Sequence, residues 1–168
     1  MEAEPWLRGA IEQVAEQIPA HVMPVFFSFA QVREDLAKHT AGISGDALWC
    51  EMAGRHSLGY HLKHIAGSVD RLTTYLSGRR LSEEQFEFLR SEHKADASLD
   101  DLLALVHQNL HEAEQQMRQV KVEALFEART VGRQELPTTV LGLLVHVCEH
   151  TQRHLGQAIL ISRLLRDG

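Results

Sequence analysis

The sequence has little of several features that would define a class of protein at once. It contains two cysteines in 168 residues, Cys50 and Cys148, too few for the disulfide framework of a small secreted domain. No stretch approaches the roughly 18–20 apolar residues that a membrane-spanning helix needs. The first residues have neither a basic leader nor the apolar run of a secretory signal. We therefore expect a cytoplasmic protein that does not enter the membrane.

Positive charge is also scarce. The chain has 17 lysines and arginines against 23 aspartates and glutamates, which gives a formal net charge of -6, and no basic patch stands out. Proteins that bind nucleic acid generally carry a basic surface, so we expect no nucleic-acid partner. The apolar content of 44% is ordinary for a globular protein. A chain of this length can bury a real core as a single domain.

What the sequence does contain is helical periodicity. Apolar residues recur every three or four positions in four long stretches, which predicts four amphipathic helices. Ser57 and Ser98 stand in front of two of them as N-cap residues, and Gly78 follows the end of one. The four predicted helices cover about residues 21–38, 58–76, 99–120 and 139–166.

The connections between these stretches predict less regular structure. Residues 81–97 contain the start of a short crossover helix, and residues 123–137 predict an extended connection without a convincing strand pair. Residues 1–21 have helical apolar spacing that is broken at Pro19, which predicts a short helix or ordered arm. The expected fold is all-α, a four-helix bundle over residues 22–168 with this N-terminal arm.

Histidine is unusually abundant, with eleven in the chain. Three of them, His146, His150 and His154, follow one another at intervals of four in the last predicted helix. A helix turns by ~100° per residue, so such residues share one face, and an i, i+4 histidine pair can bind one metal ion. His150 and His154 fall where the apolar pattern calls for leucine or valine. Burying unpaired polar rings costs about 1–3 kcal/mol each, and metal binding or hydrogen bonding between core histidines would offset that cost. The alternative is a seam that turns outward near its end and leaves the rings in solvent.

A metal site in a bundle usually takes ligands from a facing helix as well. The second predicted helix offers His61 and His64. On a helical wheel, His61 lies about 60° from the apolar seam and His64 about 120°, so the wheel favours His61. His107 and His111 form another i, i+4 pair, but acidic residues flank them and a solvated face is expected there.

Two motifs together resemble the DinB-like family of metalloenzymes. They are residues 61–68, HLKHIAGS, and residues 146–157, HVCEHTQRHLGQ. The resemblance covers about residues 22–166 and implies a four-helix bundle with up-down-down-up connection. It further implies one divalent metal ion, Zn²⁺ or Ni²⁺, on three histidines. Those histidines are His64 from the H-I-A motif, and His150 and His154 from the H-x-x-x-H-x-G-Q motif. For the ligand from the second helix, the resemblance thus favours His64 where the helical wheel favours His61.

Further residues are expected beside these metal ligands. His61 and His146 are expected behind the ligands or in the pocket wall, and Gln157 is expected near the pocket. Gly156 would let another helix approach closely. Glu149 and Arg153, four residues apart, predict a surface salt bridge.

Three neutral imidazoles would leave coordination positions open, as in catalytic rather than closed structural metal sites. The family resemblance then implies a metal-dependent enzyme, either a hydrolase or a transferase that acts with low-molecular-weight thiols, on a small-molecule substrate. A non-catalytic metal-binding bundle, with a role in stress response or protein interaction, is the alternative. Relatives in the family often pair through their helices, so a homodimer is also expected.

Overall fold

Helices carry most of the chain in the computed structural model, which describes residues 4–7, 18–43, 45–52 and 54–167. The expected all-α bundle is confirmed. No helix in these ranges is long and apolar enough to cross a bilayer. In chain order the helices are α1 (Met23–Thr40), α2 (Asp46–Trp49), α3 (Leu58–Leu76), α4 (Glu83–Ser91), α5 (Leu99–Met117) and α6 (Val140–Asp167), of which α2 and α4 are short.

Serine caps fix where three of these helices begin. The Ser57 hydroxyl accepts a hydrogen bond from the backbone N–H of Tyr60 at 3.1 Å, at the start of α3. Ser98 forms a capping box with Asp101 at the start of α5, and Ser82 forms one at the start of α4. Such caps satisfy backbone N–H groups that a first helical turn leaves without partners. The predicted starts of α3 and α5 and the short crossover helix are thus confirmed.

Hydrogen bonds at the helix ends define the directions of the long helices. Arg166 on α6 donates to the carbonyl of His39 at 2.9 Å, which brings the C-terminal ends of α1 and α6 together. Ser77, just after α3, donates to the side chain of Gln116 near the end of α5 at 3.2 Å. Each pair is therefore parallel, while α3 and α6 run antiparallel. This is the expected up-down-down-up connection.

The core seam of α6 differs from the predicted one. The seam was expected to pass through residue 150 or 151 and then through His154, but Thr151 and Leu155 are the fully buried residues, at 1% and 2% exposure. Both histidines are half-buried beside the seam. The apolar pattern was compatible with two registers of the helix. The correct register was not evident because it places the polar Thr151 in the buried seam. The histidines thus lie at the margin of the core, where they can face a cavity.

The long connection before α6 folds as a hairpin rather than as an unpaired extended segment. Strand β1 (Ala128–Val131) pairs antiparallel with β2 (Leu136–Thr139), and Val131 stands opposite Leu136. The expectation of no strand pair was wrong. The strands are only four residues each, and Pro137 within one of them has no backbone N–H to donate to a partner strand. A two-stranded ribbon has only edges, and edge strands tolerate proline.

The described part of the N-terminal arm lies on α1. Residues Pro5–Leu7 form a 3₁₀ turn, and Trp6 Nε1 donates to Gln31 Oε1 at 2.7 Å. The Trp6 ring also packs against Phe27 with 5.8 Å between ring centroids. Residues 8–17 of the predicted arm lie outside the described residues, so the division of the chain at residue 21 stays a prediction.

Candidate metal centre

Three histidines meet where α3 packs against α6. His64 comes from α3, and His150 and His154 come from consecutive turns of α6. Each offers one ring nitrogen, and these three atoms lie within 4.8 Å of one another. The Nε2 atoms of His64 and His150 are 3.0 Å apart, and the His64 and His154 ring centroids are 4.2 Å apart. The geometry can hold a single metal ion.

A buried carboxylate orients the histidine from α3. His64 Nδ1 donates to Glu92 Oε2 at 2.6 Å, and the Glu92 side chain is only 2% exposed. Because Nδ1 carries the proton, the lone pair of His64 is on Nε2, the atom that faces His150. Arg71 Nη1 lies 2.8 Å from Glu92 Oε1, an ion pair by distance although these two atoms are not aligned for a hydrogen bond. Carboxylates placed in this way fix the tautomer of metal-binding histidines.

His61 supports the second histidine of α6. Its Nδ1 lies 3.1 Å from Nδ1 of His154, within hydrogen-bond distance. When His154 donates this hydrogen bond, its Nε2 keeps a lone pair for a metal ion. The structure therefore brings His64 into the group of three, as the family motif implied. The wheel favoured His61, which lies behind His154 and is 5% exposed.

The segment that carries Glu92 is held by a buried lysine. Lys63 Nζ donates to the carbonyls of Ser91 at 3.3 Å and Lys94 at 3.0 Å, and it also pairs with Asp96. Its ammonium thus occupies the C-terminal end of α4, where the helix dipole favours positive charge. Lys63 is the residue before His64. One turn of α3 therefore supplies the histidine and also anchors the segment that carries Glu92, the residue that orients His64.

Close packing of α4 on α3 depends on Gly67. A Cβ at this position would come within 2.7 Å of the Phe88 ring and of Arg71 Nη1. Glycine therefore allows α4 to approach closely enough for the residue after it, Glu92, to reach His64. By contrast, no described atom lies within 4 Å of a Cβ built at Gly156. The expectation that Gly156 admits a neighbouring helix was wrong.

Burial keeps the rings of His61, His150 and His154 uncharged at neutral pH. Desolvation, followed by the coulombic effect of neighbouring histidines, lowers the pKa of His61 and of His150 from 6.5 to about 4. The same causes lower the pKa of His154 to about 3. Neutral imidazoles have the free lone pairs that metal ions bind, so in neutral solution protons do not compete for these rings.

These lowered pKa values predict a specific acid sensitivity of the metal-free protein. Unfolded histidines take up protons near pH 6.5, while the folded rings resist protonation down to about pH 4. Between these values the unfolded state binds more protons, so stability is present above pH 6.5 and is lost as the pH falls. We expect the Tm to fall between pH 6.5 and 5 in the presence of a chelator. A variant with His150→Ala and His154→Ala should show a shallower fall, and equal slopes would contradict the assignment.

A cavity of about 460 Å³ adjoins the cluster, and His64, His146 and His150 are part of its wall. The His146 ring is half-exposed, and its Nδ1 lies 3.4 Å from Glu149 Oε2. Glu149 also pairs with Arg153, the predicted surface salt bridge. His146 therefore has the place in the pocket wall that was expected for it. The structure does not bring Gln157 there, since its side chain is exposed and does not line this cavity.

Other candidate ligands lie elsewhere. His107 and His111 are exposed on α5, as expected for a solvated face. Burial raises the pKa of the Cys148 thiol to about 11, and a hydrogen bond with Ser28 only partly offsets this. Cys148 is therefore a protonated thiol on the side of α6 that faces α1, away from the histidines.

The sequence did not reveal the residues that support the cluster. Glu92, Arg71 and Lys63 belong to three different turns and have no spacing in common with the histidine motifs. One signal was available for two of them, since Lys63 and Arg71 fall within the strongly apolar α3. A charged residue that is buried in such a helix needs a partner. Nothing in the sequence pointed to Glu92 as that partner.

The fold and the cluster together define a helical-bundle protein whose three histidines can bind a metal ion. Comparison with known proteins agrees. The family model of the DinB superfamily matches residues 28–158, a range that contains all three histidines. The chain therefore belongs to the DinB superfamily, as its two motifs predicted. A search of the curated proteins found no match.

Proposed function

We propose that the protein is a metal-dependent enzyme whose divalent ion, Zn²⁺ or Ni²⁺, is held by His64, His150 and His154. The observation that carries this proposal is the convergence of three imidazole nitrogens within 4.8 Å, beside a cavity that His64 and His150 line. Imidazole nitrogen is a preferred donor for both metals. Glu92 fixes the orientation of the His64 ring, and His61 can fix that of the His154 ring. Two of the three proposed ligands are therefore held in place before an ion binds.

Three protein ligands are the number found in catalytic rather than closed structural zinc sites. A divalent ion with open positions supplies Lewis acidity, which lowers the pKa of a water or thiol that binds to it. The cavity gives a small substrate access to this point from the side of α4 and the hairpin. Its volume of about 460 Å³ lies within the range of small-molecule sites.

The residues around the cavity would orient the substrate and move protons. His146 is half-exposed in the wall, next to His150, with 5.5 Å between the ring centroids. An imidazole at this place can accept a proton from an incoming nucleophile and pass it to solvent. The buried Glu92 faces His64 and Arg71 and serves to position them. We propose His146 as the general base on this ground.

Two reactions fit this arrangement: hydrolysis, and S-transfer with a low-molecular-weight thiol. The test is to purify the protein, measure its metal content, and assay the Zn²⁺- and Ni²⁺-loaded forms for ester and amide hydrolysis and for thiol conjugation. We expect about one ion per chain and turnover in one of the two assays. A His146→Ala variant should keep the ion and lose much of the turnover. Absence of bound metal after loading would contradict the proposal.

A non-catalytic metal-binding bundle is the second candidate, and one observation favours it. His61 and His64 of α3 contact His154 and His150 of α6, so an ion bound to His64, His150 and His154 would hold two core helices together. Such an ion would stabilise the fold, because binding to the native state adds to the free energy of unfolding. A large fall in Tm on chelation, together with no turnover in either assay, would favour this function.

A further inference from the structure

Two adjoining cavities lead from the histidine cluster to the surface beside the hairpin. The inner one is the cavity of about 460 Å³ at His64 and His150, and five apolar side chains of α3, α4, the hairpin and the segment between α3 and α4 also line it. The outer one, of about 670 Å³, lies between the hairpin and residues 78–81. Their walls share Tyr75, Leu81, Phe86, Gly132 and Arg133.

Arginines are concentrated in the walls of these two cavities. Six of them line the pair, against a single carboxylate, Glu135. This is notable in a chain whose formal net charge is -6. Such clefts attract anions, because low-dielectric walls focus the field of the charges that line them. The six are Arg71, Arg79, Arg80, Arg90, Arg129 and Arg133.

Two of these arginines have no carboxylate partner in the part of the chain that the structure describes: Arg79 and Arg133. Both are exposed to the cavity, and the Arg133 guanidinium lies over the Phe86 ring, 5.4 Å from its centroid. The other four are paired, Arg71 with Glu92 at 2.8 Å, Arg90 with Glu83 at 2.7 Å, Arg129 with Glu127 at 3.0 Å and Arg80 with Glu135 at 3.6 Å.

The backbone brings the two unpaired arginines to the same cavity. Each directly follows a glycine in the left-handed region, Gly78 with φ 73° at the end of α3 and Gly132 with φ 74° in the hairpin loop. Residues with side chains adopt this conformation only at a cost, so glycine permits both turns. In addition, Arg129 on β1 donates to the carbonyl of Leu76 at 2.8 Å, which holds the hairpin against the end of α3.

We propose that the substrate is a small amphipathic oxyanion. Its apolar body occupies the inner cavity, and its carboxylate or phosphate group binds Arg79 and Arg133. Guanidinium groups bind both kinds of oxyanion through paired hydrogen bonds. This inference rests on the proposed function, since the apolar end of the molecule lies beside the metal-binding histidines. It assigns the chemical class of the substrate and two residues that select it.

Binding of three matched probes tests the proposal. They are 3-phenylpropanoate, 3-phenylpropyl phosphate and the neutral 3-phenylpropan-1-ol, titrated calorimetrically into the chelated, metal-free protein. We expect at least one anion to bind about tenfold more tightly than the alcohol, as a charge-assisted hydrogen bond contributes at least this much. The comparison of the two anions identifies the preferred group. Equal binding of all three probes would overturn the proposal.

The arginines are tested by charge removal at matched positions. A variant with Arg79→Gln and Arg133→Gln should bind the anions no better than the alcohol, whereas Arg163→Gln, an exposed change on α6 away from both cavities, should keep the preference. An anion preference that survives the double change would overturn the assignment. Tighter binding of a single-stranded oligonucleotide than of 3-phenylpropyl phosphate would also overturn it, because the two cavities would then bind a nucleic-acid polymer rather than a small oxyanion.

Failure of this inference can be told apart from failure of the proposed function. The probe experiment is run without metal, and also on the variant with His150→Ala and His154→Ala, in which the arginines are intact. A protein that binds metal but shows no anion preference contradicts only the substrate class. A protein that shows the preference but binds no metal contradicts the metal-dependent function and leaves the oxyanion site standing.

Discussion

Replacing both His150 and His154 with alanine is expected to abolish stoichiometric metal binding. Loss of a residue that merely supports a ligand already lowers metal affinity about 10–100-fold, so removal of two ligands must exceed about 100-fold. The remaining His64 offers one nitrogen and cannot hold an ion alone against a competing chelator. Competition with a chromophoric chelator, followed by elemental analysis of the dialysed protein, measures this loss.

The chain offers a matched control in its other i, i+4 histidine pair. His107 and His111 have the same spacing on α5, but both are exposed. Among the described residues, no third side chain joins them to form a group that could hold a metal ion. Changing both to alanine removes as many imidazoles and should leave metal binding unchanged. If the two double variants lose metal equally, or if neither does, the assignment of the centre to α3 and α6 is wrong.

The change Glu92→Gln should weaken both the fold and the proposed metal site, although it alters only one functional group. Glu92 is the carboxylate partner of Arg71, which is 8% exposed. Breaking a buried ion pair by removing one partner costs about 3–5 kcal/mol, because the other charge stays buried. Urea unfolding of the metal-free protein measures this loss in the free energy of unfolding.

The same change should lower metal affinity about 10–100-fold. A glutamine amide can donate to His64 Nδ1, which would shift the proton to Nε2 and remove the lone pair that faces His150. Glu87→Gln is the control, since Glu87 is an exposed residue of the same helix, α4. Unchanged stability and affinity in Glu92→Gln would show that this carboxylate does not orient His64.

Much of the fold could be predicted from the sequence because it rests on local patterns. The periodic apolar residues and the caps at Ser57 and Ser98 predicted the long helices within a few residues. The hairpin was missed because its strands are four residues each, too short for an alternating pattern to stand out. A homodimer and a cytoplasmic location stay predictions.

For the candidate centre, the sequence by itself determined the histidines. The i, i+4 spacing of His150 and His154 places them on one helical face in any α-helix, and the paired motifs added His64 from α3. Helical geometry alone favoured His61, because a helical wheel takes a single apolar seam as the side that faces the core. In the structure α3 packs against both α5 and α6. The register of the α6 seam was ambiguous because the buried seam contains the polar Thr151.

Only the tertiary structure decided how the histidines are held and what reaches them. Glu92 is remote in sequence from Lys63 and Arg71 of α3, and its segment contacts both because α4 packs closely on α3. The unpaired Arg79 and Arg133 face one cavity because the hairpin folds back over the end of α3. Contacts between elements have no signature in local spacing, since spacing records only which face of its own helix or strand a residue occupies.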